Sequence, residues 1–198
     1  MHLTTYSCHV VDYLRCSAED DNSAVTFVYC DYASKAQQSA NNLLRALLSQ
    51  LITHLSPESK VIKELQYQYT HGYTLTHKLT MELFTKVATS SQLKVIWLCA
   101  DALDELEGRE QDVFLHALAM ICKHHIFHVF LTGRFVVEAS VKHRIGTDVQ
   151  FFPITTISNL DDIDSFLKHE LSKDLTPSAM KTDLWDTIFE YLAGETST

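Results

Sequence analysis

The apolar positions of the chain fall into two kinds of run, continuous and helically spaced, and these alternate. Tyr6, Val10, Tyr13 and Leu14 share one side of a helix over 6–14, and the polar stretch AEDDNS ends it. Ala24 to Asp31 (AVTFVYCD) is β-branched, aromatic and nearly apolar throughout, the pattern of a strand covered on both faces. Leu44, Leu47, Leu48, Leu51, Ile52 and Leu55 then form a helical stripe that Pro57 stops. Glu58 to Gln68 and Leu79 to Ala88 read as two further helices, joined by a polar link around His71-Gly72. A second apolar run, Leu93 to Ala100 (LKVIWLCA), empties into Asp101. Val113 to Cys122 is helical, with Phe114, Leu118, Ile121 and Cys122 in register. Ile126 to Leu131 (IFHVFL) reads as a third strand ending in Thr132-Gly133-Arg134, and Val149 to Ile154 (VQFFPI) as a shorter fourth. Asn159 caps a helix through Ile163, Phe166, Leu167 and Leu171, with Asp161 and Asp162 favoured in its first turn; a last helix carries Trp185, Ile188, Phe189 and Leu192.

Strands apolar on both faces and separated by helices predict an α/β fold: a mostly parallel sheet of about four strands in a three-layer sandwich. Such sheets bind ligands outside the carboxyl ends of their strands. That rule directs attention to Asp101 and to Thr132-Gly133-Arg134.

Composition narrows the class. With 198 residues, 46% of them hydrophobic and only 5 Gly and 3 Pro, the chain is an ordinary globular protein rather than a disordered or collagenous one. A formal charge of −9 with no basic block argues against a phosphate-backbone binder, so no nucleic-acid partner is expected. The cysteines Cys8, Cys16, Cys30, Cys99 and Cys122 are odd in number and show no CxxC pair. A reducing compartment fits them better than a disulfide framework. No apolar run approaches 18 residues, so no membrane span is expected and the reading is a cytoplasmic protein.

The chemistry concentrates where the second strand ends: Asp101, Asp104 and Glu105 place three carboxylates within five positions. Such a tip suits Mg²⁺, a hard cation that takes one or two carboxylates plus waters and substrate phosphates. Asp101 is then the metal-side carboxylate, and Asp104 or Glu105 orients or deprotonates an attacking water. A solvated acidic turn accounts for the same residues equally well.

Asp101-Ala102-Leu103-Asp104-Glu105 behind a hydrophobic strand resembles the Walker B segment of NACHT domains, a branch of the STAND class of P-loop NTPases. The type most similar is that of the fungal NACHT-ankyrin and nephrocystin-3-like N-terminal proteins. Four more segments are similar in order and spacing: Phe27 to Tyr32, Asn42 to Leu51, Val129 to Arg134, where the family's sensor strand ends in Ser-Arg or Gly-Arg, and Asn159 to Ile163. The resemblance implies a P-loop NTPase-like core that binds ATP or GTP with Mg²⁺, hydrolyses it slowly or conditionally, and passes between closed and self-associated states. It assigns Asp101 to the Mg²⁺ shell, Asp104 and Glu105 to the water, and Arg134 to the terminal phosphate, which a guanidinium fork can bind through two oxygens.

The sequence departs from the family in one informative respect. No GxxxxGK[ST] stretch occurs in it, and the alignment puts His2-Leu3-Thr4 where Gly-Lys-Thr should stand, leaving Thr4 alone suited to the Mg²⁺ hydroxyl position. The strand expected before that loop is missing as well. Residues 1–172 therefore read as a truncated core and 173–198 as a helix leading toward a downstream helical region. The function expected is that of a nucleotide-binding switch core with weak or no NTP hydrolysis, its partners being a nucleoside triphosphate and either itself or complete NACHT proteins. The alternative is a non-catalytic module that associates with complete relatives. Two other constellations carry less: His124, His125 and His128 lack further ligands at metal spacing, and Ser7, His9 and Asp12 crowd one helix without a nucleophile elbow.

Overall fold

A computed structural model describes residues 3–18, 22–34, 38–90, 92–146 and 149–152. The elements run α1 (Leu3–Ala18), β1 (Ser23–Tyr29), α2 (Ala40–Ile52), α3 (Lys60–Thr70), α4 (His77–Ser90), β2 (Val95–Asp101), α5 (Gly108–Ile121), β3 (Phe127–Leu131) and α6 (Glu138–Ile145), with single 3-10 turns at Tyr32–Ser34, Leu103–Glu105 and Phe135–Val137. His2–Val149 form one compact unit. Within it β1, β2 and β3 make a three-stranded parallel sheet in that order, with Ser23 level with Val95 and Ile96 level with Phe127. The expected α/β class and parallel sheet are what the chain forms. The three strands are contiguous, so β2 has a neighbour on both sides.

Alternation along each strand divides the core between the two faces. Ile96, Leu98 and Ala100 of β2 join Ala24, Val28 and Phe127 in a large cluster with Leu44, Leu47, Leu48 and Leu51 of α2, Leu83 and Phe84 of α4, and Phe114, Leu115 and Leu118 of α5. The opposite face is much thinner: Val11 of α1, Val25 and Cys99 are its buried apolar residues, with Leu14, Ala18, Phe27, Trp97 and Phe130 half-covered around them. Ser39 caps α2 by accepting from the amide of Asn42, and Glu110 of α5 accepts from the amide of Ala40 at 2.7 Å, which ties the two helices at that end.

Several expectations need correction. The inward side of α1 is Ser7, Val11, Leu14 and Ala18, not the stripe through Tyr13, which is 73% exposed. Helix α2 ends at Ile52, where Thr53 caps it and returns its hydroxyl to the carbonyl of Gln50, five residues before Pro57. The hydrophobic pattern does not predict helix α6, because EASVKHRI offers one buried residue, Val141, and no apolar stripe. Val149–Phe152 are not in a strand; the rest of the expected fourth strand, both C-terminal helices and the boundary at 172 lie outside the described residues. No helix among the described residues is long and apolar enough to cross a membrane.

Candidate functional site

The carboxyl ends of β2 and β3 meet in a small polar cluster. Asp101 is the last residue of β2, on the α1 side, and only 3% exposed. Its Oδ1 accepts hydrogen bonds from two hydroxyls, Ser7 Oγ of α1 and Thr132 Oγ1 just past β3. The two hydroxyls lie 3.3 Å apart, and Thr132 Oγ1 also accepts from the amide of Ala102 at 3.1 Å. A carboxylate so deeply buried needs donors to offset its lost hydration, and the hydroxyls of Ser7 and Thr132 supply them.

Beyond Asp101 the chain turns sharply. Ala102 is left-handed (φ 54°, ψ 46°), which starts the 3-10 turn Leu103–Glu105. Leu103 is fully buried beneath that turn; its amide donates to the carbonyl of Thr132 at 2.9 Å, and its carbonyl accepts from Gln111 Nε2 at 2.9 Å. The buried leucine fixes the turn, and the turn aims the acids on either side of it. Asp104 faces β3: its Oδ1 accepts from the amide of Arg134 at 3.0 Å, and its Oδ2 lies 3.2 Å from Arg134 Nε. Glu105 faces the other way, toward the segment after β1, and accepts from the amide of Tyr32 at 2.8 Å. The Arg134 side chain is 81% exposed and the Asp104 side chain 10%.

Gly133 makes that approach possible. A Cβ on it would lie 2.9 Å from Val137 Cγ2 and 3.4 Å from Asp104 Oδ1, so any larger residue in the Thr-Gly-Arg segment would have to push Val137 aside. The field of the acids reaches one buried thiol. Burial first, and then the charges of Asp101, Glu105 and Asp104, push Cys30 up to about 12. Cys30 is neutral packing material rather than a nucleophile.

The structure thus brings Asp101, Asp104 and Arg134 into one cluster, with Glu105 on its flank. Thr4 lies in the first turn of α1, and its side chain is outside the described residues. Ser7 and Thr132 were not assigned to the site from sequence. His9 and Asp12, which with Ser7 make up the residue types of a triad, are exposed, while Ser7 is 2% exposed and turned to Asp101. The one available signal was helical spacing: Ser7 lies four residues before buried Val11, on the same face.

A resident Mg²⁺ does not fit this arrangement. That ion requires near-octahedral oxygens, several of them water, around one or two carboxylates and substrate phosphates. Here Asp101 Oδ1 is shared by two hydroxyl donors in the protein interior, Asp104 is engaged by Arg134, and Glu105 points to a backbone amide on another segment. Among the described residues no group of three His, Cys, Asp or Glu is placed to hold a metal, the histidines near residue 125 included. What the cluster does is join α1, β2, β3 and the loop after β1 at one end of the sheet.

A family model described as nephrocystin 3, N-terminal, matches residues 4–134, which span all three strands and every residue of this cluster. Among curated proteins and among solved structures there is no significant match.

Proposed function

Because this chain belongs to the nephrocystin 3, N-terminal family, we propose that it is the switch core of a NACHT-type signalling NTPase, carrying the acidic-tip and sensor half of a nucleotide site and hydrolysing little or no NTP by itself. The single observation that carries this reading is the pairing of Asp104 with Arg134 beside buried Asp101, at the carboxyl end of a parallel sheet where α/β proteins place their ligands. An exposed cation and a largely buried anion in direct contact form a switchable pair. An incoming phosphate competes with Asp104 Oδ2 for the exposed guanidinium, while Asp104 Oδ1 can keep the amide of Arg134. Asp101, held by Ser7 and Thr132, keeps the ends of β2 and β3 together whichever partner Arg134 takes. No hydrolytic step follows from these residues, because each of the three carboxylates already has a protein donor and the sequence contains no GxxxxGK[ST] loop to cradle a triphosphate.

Titration of the 198-residue chain with fluorescent ATP and GTP analogues in the presence of Mg²⁺, alongside a phosphate-release assay, tests the reading. Binding no tighter than about 1 mM, with weakening on Arg134→Ala, and no release above background are expected. Micromolar Mg²⁺-dependent binding abolished by Asp101→Ala, or measurable turnover, would overturn it in favour of a complete enzyme site. Indifference of weak binding to Arg134→Ala would remove the sensor role.

A further inference from the structure

A groove of about 460 Å³ opens along the outer side of α2 and shares none of its lining with the acidic tip. Arg45, Ser49 and Ile52 of α2 form one wall, a stripe at spacings of four and three residues that runs about 10 Å along the helix. Leu65 of α3 and Leu75 of the link before α4 bound the other side, with Leu48, 1% exposed, as the floor. Two tethers hold the far side in place. Glu64 of α3 pairs with Lys86 of α4 at 3.4 Å, and Asn41 Nδ2 at the start of α2 donates to the carbonyl of Leu75 at 3.4 Å.

The electrostatics of the groove run against those of the chain. The formal charge overall is −9, yet among the described residues no acid lines the groove and Arg45 is its one charged residue. Glu64, next to Leu65 in the sequence, is already engaged by Lys86. The guanidinium of Arg45 and the hydroxyl of Ser49 have no hydrogen-bond or ion-pair partner among the described residues. Both side chains are exposed, while Ile52, Leu65 and Leu75 are half-buried. One free cation and one free hydroxyl therefore stand beside an apolar trough two helical turns long.

We propose that this groove binds a single-chain amphiphile with a monoanionic head, a fatty carboxylate, its head on Arg45 and Ser49 and its tail against Ile52, Leu65 and Leu75. The volume lies within the range of about 300–1,000 Å³ typical of small-molecule sites, and a mostly apolar lining with a few polar groups is their usual make-up. The planar guanidinium takes both oxygens of a carboxylate at once. A single cation offsets a single negative charge, so a phosphate dianion would be left half-compensated. A folded partner would need a footprint of about 20–30 residues, far more than line this groove.

Calorimetric titration of the full chain with dodecanoate, kept below its micelle concentration, tests the assignment, with amide NMR shifts locating the ligand. One-to-one binding with a dissociation constant on the order of 100 µM is expected, with shifts at Ser49 and Leu75. Arg45→Ala, at an exposed helix position, should weaken it at least about tenfold. Dodecyltrimethylammonium, the same tail with the opposite charge, should bind at least about tenfold more weakly than dodecanoate. Ala46→Trp, at an exposed position lining the groove, should fill it and abolish binding; if that variant loses its circular dichroism, Arg45→Ala decides. No saturation by about 1 mM, equal affinity for the cationic amphiphile, or unchanged affinity in folded Arg45→Ala would overturn the proposal. So would tighter binding of an acidic amphipathic peptide, or a dimer in sedimentation that Ala46→Trp dissociates.

Discussion

Replacing Gly133 by alanine isolates the packing that holds the candidate site together. The added methyl would sit 2.9 Å from Val137 Cγ2, against about 3.5–4.0 Å for a relaxed carbon contact. Val137 cannot swing aside cheaply: it is β-branched, stiff at χ1 and buried in the 3-10 turn before α6. Overpacking of this kind costs about 1–3 kcal/mol. Against it stands about 0.4–1 kcal/mol gained because alanine restricts the unfolded chain more than glycine does. The backbone of Gly133 is not in the left-handed region, so no conformational penalty enters. The net expectation is a loss of between about 0 and 2.6 kcal/mol, at about 2–4 °C in Tm per kcal/mol for a chain of this size. Urea denaturation followed by circular dichroism measures it, and a double-mutant cycle tests the cause. Val137→Ala by itself costs up to about 1.6 kcal/mol for two methylene equivalents, yet it deletes the very atom that clashes. In its background Gly133→Ala should be neutral or stabilising, a coupling of about 1 kcal/mol or more. Equal costs for Gly133→Ala in both backgrounds would refute the steric account.

Ser7→Ala removes one donor from a buried carboxylate and should cost about 1.5–3 kcal/mol by urea denaturation, more than the same change at exposed Ser17. Leu47→Ala, fully buried between α2 and the sheet, should cost about 3–5 kcal/mol and lower the urea midpoint without changing the slope. Arg134→Ala should cost under about 1 kcal/mol, since its guanidinium is largely in water, whereas Asp104→Ala also strands the Arg134 amide and should cost more. The thiols predict an alkaline limb. Burial raises Cys30 and Cys99 to about 12 and Cys122 to about 11 from an ordinary 9.0, so the folded chain keeps protons that the unfolded chain releases. Stability should therefore fall as pH rises from about 9 toward 11–12, and in the native state a thiol reagent should modify exposed Cys8 and Cys16 well before the other three.

The strands were legible because a buried parallel strand is written as a continuous apolar run, and the three runs through Phe27, Leu98 and Val129 each became one. Helix α1 was legible as a helix but not in its rotation. Tyrosine counts as apolar in a pattern yet keeps its hydroxyl wet, and Tyr13 went outward. The acidic tip could be found from the rule that strands deliver chemistry at their carboxyl ends, and Arg134 from the same rule one strand later. What Asp101 touches could not: Ser7 is 94 positions away in the chain, and nothing in a serine's neighbourhood states which carboxylate it meets. Gln50 and Gln38 were invisible for a similar reason: the side-chain amides that bond the backbone of Phe27 and of Tyr29 and Asp31 look like those of any polar residue in or before a helix.

The unequal loading of the sheet sets which part of the molecule lets go first. Most of the buried side chains lie on the α2, α4 and α5 side, while α1 is anchored through Val11 and its neighbours. In native-state exchange α1 should behave as the least stable foldon, peeling off well below the free energy of global unfolding. Because Ser7 rides on that helix, each such excursion unshields Asp101, the best-sequestered acid among the described residues. How often water reaches Asp101 is then governed by the tenure of a single helix, not by the melting of the domain.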